Sequence, residues 1–243
     1  MTGESLGSIL RRIKAQRESE GAEPAHRPDT EAPSRSQTPA CSACNDRGWL
    51  TPSVPVGHPE FGKTQPCTCQ QQRLEDDKLR RLRLYSNLGH MERFTFEFID
   101  EERVDPDNAN LFRVALDAAL AYAQTPSGWL IFDGPPGSGK THLAASIANQ
   151  LITYGLPVLF VSASDLLDEL RSGYAPNNPM PFSEIYQRVS EADMLVLDAL
   201  GSHSTTPWAQ EKLHQLINHR FNATLPTVVT LSCPLEDLDP CIL

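Results

Sequence analysis

The hydrophobic positions of this chain change period several times, and each change marks a boundary. Leu6, Ile9, Leu10 and Ile13 stand at i, i+3, i+4 and i+7, one apolar stripe on a short helix with Arg11, Arg12 and Lys14 opposite. Such a stripe suits a frayed terminus or a helix that docks on a partner. Residues 17–40 are rich in Glu, Pro, Ser and Thr and have no apolar period. They bury too little to offset the entropy of ordering and read as a disordered linker. Over 71–86 a helical face returns in Leu74, Leu79, Leu82 and Tyr85. Arg80, Arg81 and Arg83 are balanced there by Glu75, Asp76 and Asp77, as in a solvated connecting helix.

From residue 87 the pattern is α/β. Leu111, Val114, Ala115, Ala118 and Ala119 predict an apolar helix over about 108–124. A short strand, Trp129 to Phe132, leads into a glycine-rich loop and a helix over about 140–154. Strand Val158 to Val161 follows, then a helix over about 164–171 with Ser164 as its N-cap. After a proline-rich stretch come a helix near 182–191, strand Met194 to Leu197 ending at Asp198, a helix over about 207–222 and strand Thr227 to Leu231. Apolar strands alternating with helices predict a parallel sheet covered on both faces.

Composition narrows the functions. The 243 residues suffice for one α/β domain and a small appendage. A net charge of −10 is the wrong sign for a dedicated reader of duplex DNA, though it leaves room for weak contact with a single strand. No apolar run is long enough to span a membrane. The N-terminus lacks the apolar core and small-residue site of a secretory signal, so the expected location is cytoplasmic. The six cysteines are then expected reduced and are read for metal before disulfides.

The loop is the strongest signal. Gly134, Pro135, Pro136, Gly137, Ser138, Gly139, Lys140 and Thr141 fill the pattern G-x-x-x-x-G-K-[ST] between a strand and a helix. Glycines let successive N–H groups turn inward on phosphate oxygens, and the helix that follows adds its positive end. Lys140 is expected to reach the β and γ phosphates of ATP, and the Thr141 hydroxyl to ligate Mg²⁺. Asp198, closing an apolar strand, is expected to hold the same Mg²⁺ through water; the plainer alternative is a helix cap.

Here the sequence acquires a likeness. GWLIFDGPPGSGKTHLAASIANQL, VLFVSASDLLDELR, DMLVLDALG and WAQEKLHQLINHRFNATLPTVVT resemble the DnaC/IstB-like branch of the AAA+ ATPases, over about residues 88–243. The most specific pieces are His142-Leu143-Ala144 after the loop and the tryptophan-started helix ending in Arg220-Phe221. SNLGHMERFTFEFID (86–100) is similar to the segment preceding the core in this branch, where Phe94, Phe96 and Phe98 either approach the adenine or pack in the core. The resemblance implies a sheet with the phosphate-loop strand beside a sensor strand, self-assembly with ATP between subunits, and a role in loading replicative DNA helicases or assisting transposases. His142 and Ser232 join the expected nucleotide contacts on this ground, Ser232 standing where the branch carries a sensor Asn.

Three departures accompany the likeness. The acidic residue that polarises water in this branch is replaced by Ala199. The sensor position holds the shorter Ser232. The branch continues through an arginine finger, a fifth strand and a lid, whereas this chain stops at Cys241-Ile242-Leu243, which reads as a truncated or degenerate member whose phosphate-loop strand becomes a bare sheet edge. Binding of ATP with very slow hydrolysis is the expectation, since losing a catalytic base or a transition-state cation costs ~10²–10⁵ in rate. Arg220 faces either a neighbouring subunit's nucleotide or, more plainly, a salt bridge or solvent.

Cys41, Cys44, Cys67 and Cys69 read C-x2-C-x22-C-x-C, two close pairs that suit tetrahedral Zn²⁺, with free thiols or redox pairing as alternatives and His58 as a substitute ligand. The glycines and prolines of 45–66 predict a hairpin or loop that metal must hold. Cys233 and Cys241 are expected to be ordinary thiols. A cysteine module before such a core resembles the DnaI type of helicase loader, whose N-terminal domain grips the helicase. That favours a helicase partner over an IstB-like transposase helper, a small-molecule kinase or a non-functional remnant.

Overall fold

The computed structural model describes residues 41–238 apart from 52–54, 56–57, 60, 101–103, 105, 177 and 202–205, together with Gly7 and Arg11. The expected N-terminal stripe, the 17–40 linker and the last five residues lie outside the described part. The chain divides into two compact units, one within Glu20–Arg81 and one taking in everything from Leu82 onward.

In the first unit a two-residue ladder forms the expected hairpin: β1 (Trp49–Leu50) pairs antiparallel with β2 (Gln65–Pro66). Helix α1 (Thr68–Ser86) starts one turn earlier than the leucine spacing suggested, so Cys69 sits in its first turn. The Cys67 N–H donates to Gly48 O at 2.8 Å, and the Gln70 and Gln71 N–H groups both reach Cys67 O, which winds the chain from the hairpin into the helix.

In the second unit α2 (Ala109–Gln124) precedes strand β3 (Trp129–Phe132), helix α3 (Lys140–Thr153), strand β4 (Leu159–Ser162), helices α4 (Ala163–Ser172) and α5 (Phe182–Ser190), strand β5 (Leu195–Leu200), helix α6 (Pro207–Asn222) and strand β6 (Thr227–Leu231). The strands are all parallel in the order β3-β6-β5-β4, so the loop-bearing strand lies beside the sensor strand, as the family likeness implied. Alternate residues feed two cores. Leu159, Val161, Leu195, Leu197, Val229 and Leu231 pack under α4, α5 and α6. Phe132, Phe160, Val196 and Val228 pack on the opposite face under α2 and α3. A period-2 strand buried on both faces produces this three-layer arrangement.

Several local expectations shift. Helix α4 begins directly where β4 ends, so Ser162 rather than Ser164 is the cap; its hydroxyl accepts from the Asp165 N–H at 3.1 Å. The buried face of α2 is Leu116, Ala119, Tyr122 and Ala123, while Leu111 and Val114 are exposed. Strand β5 runs past Asp198 to Leu200 with a bulge: Leu197 faces Val229 but Leu200 faces Leu231, one residue extra on β5. Ala199, within the bulge, has φ 54°, and its N–H donates to Thr230 Oγ1 at 2.8 Å. A bulge of this kind re-aims the side chains beside it.

Arg220 is the largest departure. It is fully buried, so it faces neither solvent nor a neighbouring subunit's nucleotide, and it makes no salt bridge among the described residues. Its Nε donates to Thr227 Oγ1 (3.0 Å), Nη2 to Pro226 O (2.8 Å) and Nη1 to Ala192 O (2.8 Å), with Ser190 O and Val189 O close by. Burial pulls its pKa down to about 10, which leaves it cationic at neutral pH. It ties the end of α5 to the start of β6.

Candidate functional site

Between β3 and α3 the loop needs backbone conformations that side chains resist. Gly137 (φ 82°) and Gly139 (φ 91°) are left-handed, and a Cβ on Gly139 would lie 3.2 Å from the Phe112 ring. Gly139 is the N-cap of α3, so the helix's first turn points into the loop. The Lys140 ammonium lies over the loop and donates to Gly134 O at 2.6 Å and Pro135 O at 2.9 Å.

Thr141 and Asp198 are 57 residues apart in sequence, and the sheet brings them together. The Thr141 hydroxyl donates to Asp198 Oδ1 at 2.8 Å, and the Thr230 hydroxyl donates to the same oxygen at 2.6 Å. Asp198 is 6% exposed, so these two donors hold its carboxylate in a nearly dry setting. A hydroxyl and a carboxylate converging beside a phosphate loop form a hard oxygen set of the kind that suits Mg²⁺. The helix-cap alternative for Asp198 fails, because it lies inside β5.

Ser232 lies apart from this convergence: its hydroxyl donates to Leu200 O at 3.0 Å. Ala199 follows Asp198 with only a methyl group. His142 stands on α3 with its ring 4.8 Å from that of Phe94. A cavity of about 640 Å³ opens over the loop, its far wall made by Phe98, Ile99, Val104, Leu111 and Phe112. Phe98 and Leu111 are 71% and 72% exposed at its mouth, an apolar rim facing a polar floor.

Sequence reasoning missed two groups here. Thr230 reads as an ordinary β-former; its signal is a second threonine in the otherwise apolar β6. Asp133, before the loop, accepts the Gly134 N–H at 2.7 Å. It gave no sign beyond its place in the chain.

In the first unit the four predicted cysteines converge. Their sulfur atoms all lie within 4.8 Å of one another, the one such cluster among the described residues. Cys41 and Cys67 sulfurs are 3.7 Å apart, and those of Cys44 and Cys69 3.4 Å. Tetrahedral Zn–S bonds of about 2.3 Å put sulfurs roughly 3.8 Å apart, so the set fits Zn²⁺. The Cys44 backbone N–H draws the Cys41 thiol down to about 7, whereas the Cys44 thiol pushes Cys69 up to about 12. The Gly48 N–H donates to Cys44 Sγ at 3.3 Å, a contact that orients this thiol. His58 is exposed and outside the cluster.

A glycine loop ending in Lys140-Thr141, between a parallel strand and the helix that follows it, places the chain in the P-loop class of α/β proteins. A family model described as IstB-like ATP binding protein matches residues 68–242, and the chain belongs to that family. It is 28% identical over 127 residues to the replicative helicase loader DnaC of Escherichia coli K12, covering 51% of each chain. The chain thus spans about half the length of such curated relatives. Among solved structures, domain III of the Thermotoga maritima replication initiation protein DnaA superposes with a TM-score of 0.51 at 22% identity, covering 61% of each chain. A replication initiator DnaA bound to AMPPCP and single-stranded DNA gives 0.50 at 20% identity, covering 60% of this chain and 44% of that one. These two likenesses concern the fold. No helix among the described residues is long and apolar enough to cross a membrane.

Proposed function

We propose that this chain is an ATP-binding accessory factor of the replicative DNA helicase, a cytoplasmic loader-type switch with a zinc-held first unit. The observation that carries the nucleotide half is the 2.8 Å convergence of Thr141 and Asp198 beside Lys140. Loop amides and Lys140 hold the triphosphate, and Thr141 and Asp198 hold Mg²⁺, which when bound neutralises phosphate charge. The apolar rim at Phe98 and Leu111 takes the base. Asp198 is already hydrogen-bonded by two hydroxyls and Ala199 carries no carboxylate, so hydrolysis by the isolated chain is slow. Cys41, Cys44, Cys67 and Cys69 hold one Zn²⁺ whose role is structural.

The helicase half rests on the named loader relatives and on the cysteine module. Weak contact with single-stranded DNA belongs to the same reading. The exposed Tyr174 stacks on Phe182 at 4.7 Å and meets Trp208 edge-on, with the Arg171 guanidinium 5.0 Å from the Trp208 ring. Phe182 and Trp208 are covered by these neighbours, so the exposed Tyr174 is the ring offered to an unpaired base.

The test is co-purification of the zinc-loaded chain with its host's replicative helicase, with and without Mg·ATP, and with Lys140→Ala as control. Nucleotide-dependent capture is expected. Capture of a transposase instead, or no capture by protein that binds ATP, overturns the helicase half. A phosphate-release turnover of about 1 s⁻¹ or more overturns the slow-hydrolysis half.

A further inference from the structure

The segment between Asn87 and Ile99 has little regular structure, only two short 3₁₀ turns at Gly89–Arg93 and Phe96–Phe98. It nevertheless forms one wall of the cavity over the phosphate loop, through Phe98 and Ile99. Such a segment needs ties to keep a fixed wall, and α3 supplies them. Asn149 Nδ2 donates to Met91 O at 3.0 Å and to Phe94 O at 2.8 Å. His142 Nε2 lies 3.3 Å from Thr95 O, and its ring packs on Phe94 with the planes 34° apart. A carbonyl only accepts, so the imidazole carries its proton on Nε2. Among the described residues the buried Thr95 hydroxyl has no partner, while the Thr95 carbonyl also accepts the Phe98 N–H at 3.2 Å.

His142 and Asn149 are seven residues apart on α3, two turns along one face. His142 is also the next residue after Thr141. The helix that presents the Thr141 hydroxyl thus holds, one residue later, the strap bearing Phe98.

We infer that His142 is a positioning residue for the base half of the nucleotide site: it fixes Thr95 and Phe94 so that Phe98 and Ile99 stand as a wall against the base. Asn149 is the second tie of the same device. The inference rests on the reading that this cavity takes ATP, and it assigns His142 to base affinity and not to phosphate affinity. Loss of one such hydrogen bond weakens base binding about three- to tenfold. An amide at the same place keeps the donor.

The experiment is calorimetry of the full chain with Mg·ATP and, separately, with magnesium tripolyphosphate, which has phosphates and no base. Wild type, His142→Ala, His142→Gln and Asn149→Ala are compared, each with a melting curve. Expected is a loss of about three- to tenfold for ATP in the His142→Ala and Asn149→Ala proteins, with tripolyphosphate unchanged within about twofold and ATP binding recovered in His142→Gln. Equal loss for both ligands, or undiminished ATP binding in His142→Ala, overturns the inference. Failure of His142→Gln to recover ATP binding while it melts like wild type overturns it too. Wild type that binds neither ligand refutes the nucleotide reading itself, an outcome distinct from these.

Discussion

Ala199 is a side chain held in a conformation made for glycine or asparagine. Its φ of 54° belongs to the left-handed region, where a Cβ crowds the following carbonyl at a cost of roughly 1–2 kcal/mol. The bulge imposes it, and the bond from Ala199 N to Thr230 Oγ1 keeps it. Ala199→Gly removes that strain but gives the unfolded chain more freedom, so a net gain of about 0.5 kcal/mol is expected, read as a small rise in melting temperature. At this scale the sequence disclosed the groups that chemistry makes rare. Gly139, Lys140, Thr141 and Asp198 announce themselves, because few other residue types do their work. Thr230 did not, because a threonine in a strand needs no function to explain it. The bulge was equally silent: Asp198 and Ala199 are poor strand formers, so they read as the strand's end and not as an irregularity within it.

Among the elements, α6 shows how a signal can be present and go unread. Its buried face is Ala209, Leu213, Leu216 and Arg220, a regular helical spacing whose last member is an arginine. Arginines are usually solvated, and that habit overrides the spacing. Arg220→Ala leaves the carbonyls of Ala192 and Pro226 and the Thr227 hydroxyl without this donor, and an unfolding cost of about 3–5 kcal/mol is expected in denaturant titrations. Arg220→Lys recovers only part, because one ammonium cannot span acceptors arranged for a planar fork. In the first unit the ladder between β1 and β2 is two residues long, too short to stand alone. One zinc per chain is expected by elemental analysis, falling well below one in Cys67→Ser. Chelation is expected to remove the circular-dichroism signal of the hairpin, as in small domains folded by their metal.

For the molecule as a whole, the parallel sheet was legible because apolar runs of four or five residues alternated with helices, whereas the place of β3 beside β6 was implied only by the family resemblance. The start of α1 was not, because Thr68 and Cys69 read as part of a metal knuckle and only the hydrogen bonds from Gln70 and Gln71 to Cys67 O show the helix already begun. Nucleotide binding is a whole-molecule quantity and is measurable as stability: Mg·ATP at a hundred times its dissociation constant is expected to add about 2.7 kcal/mol, several degrees in a thermal scan. A melting temperature indifferent to ATP would count against the nucleotide reading. The two bonds of Lys140 also bear on selectivity. Lys140 is already satisfied by two neutral oxygens of its own backbone, so an arriving anion must offer more than those oxygens do. Chloride, a single charge spanning little of the loop, gains less by the exchange than a polyanion that grips several amides at once, so the loop favours a chain of phosphates over small monovalent ions.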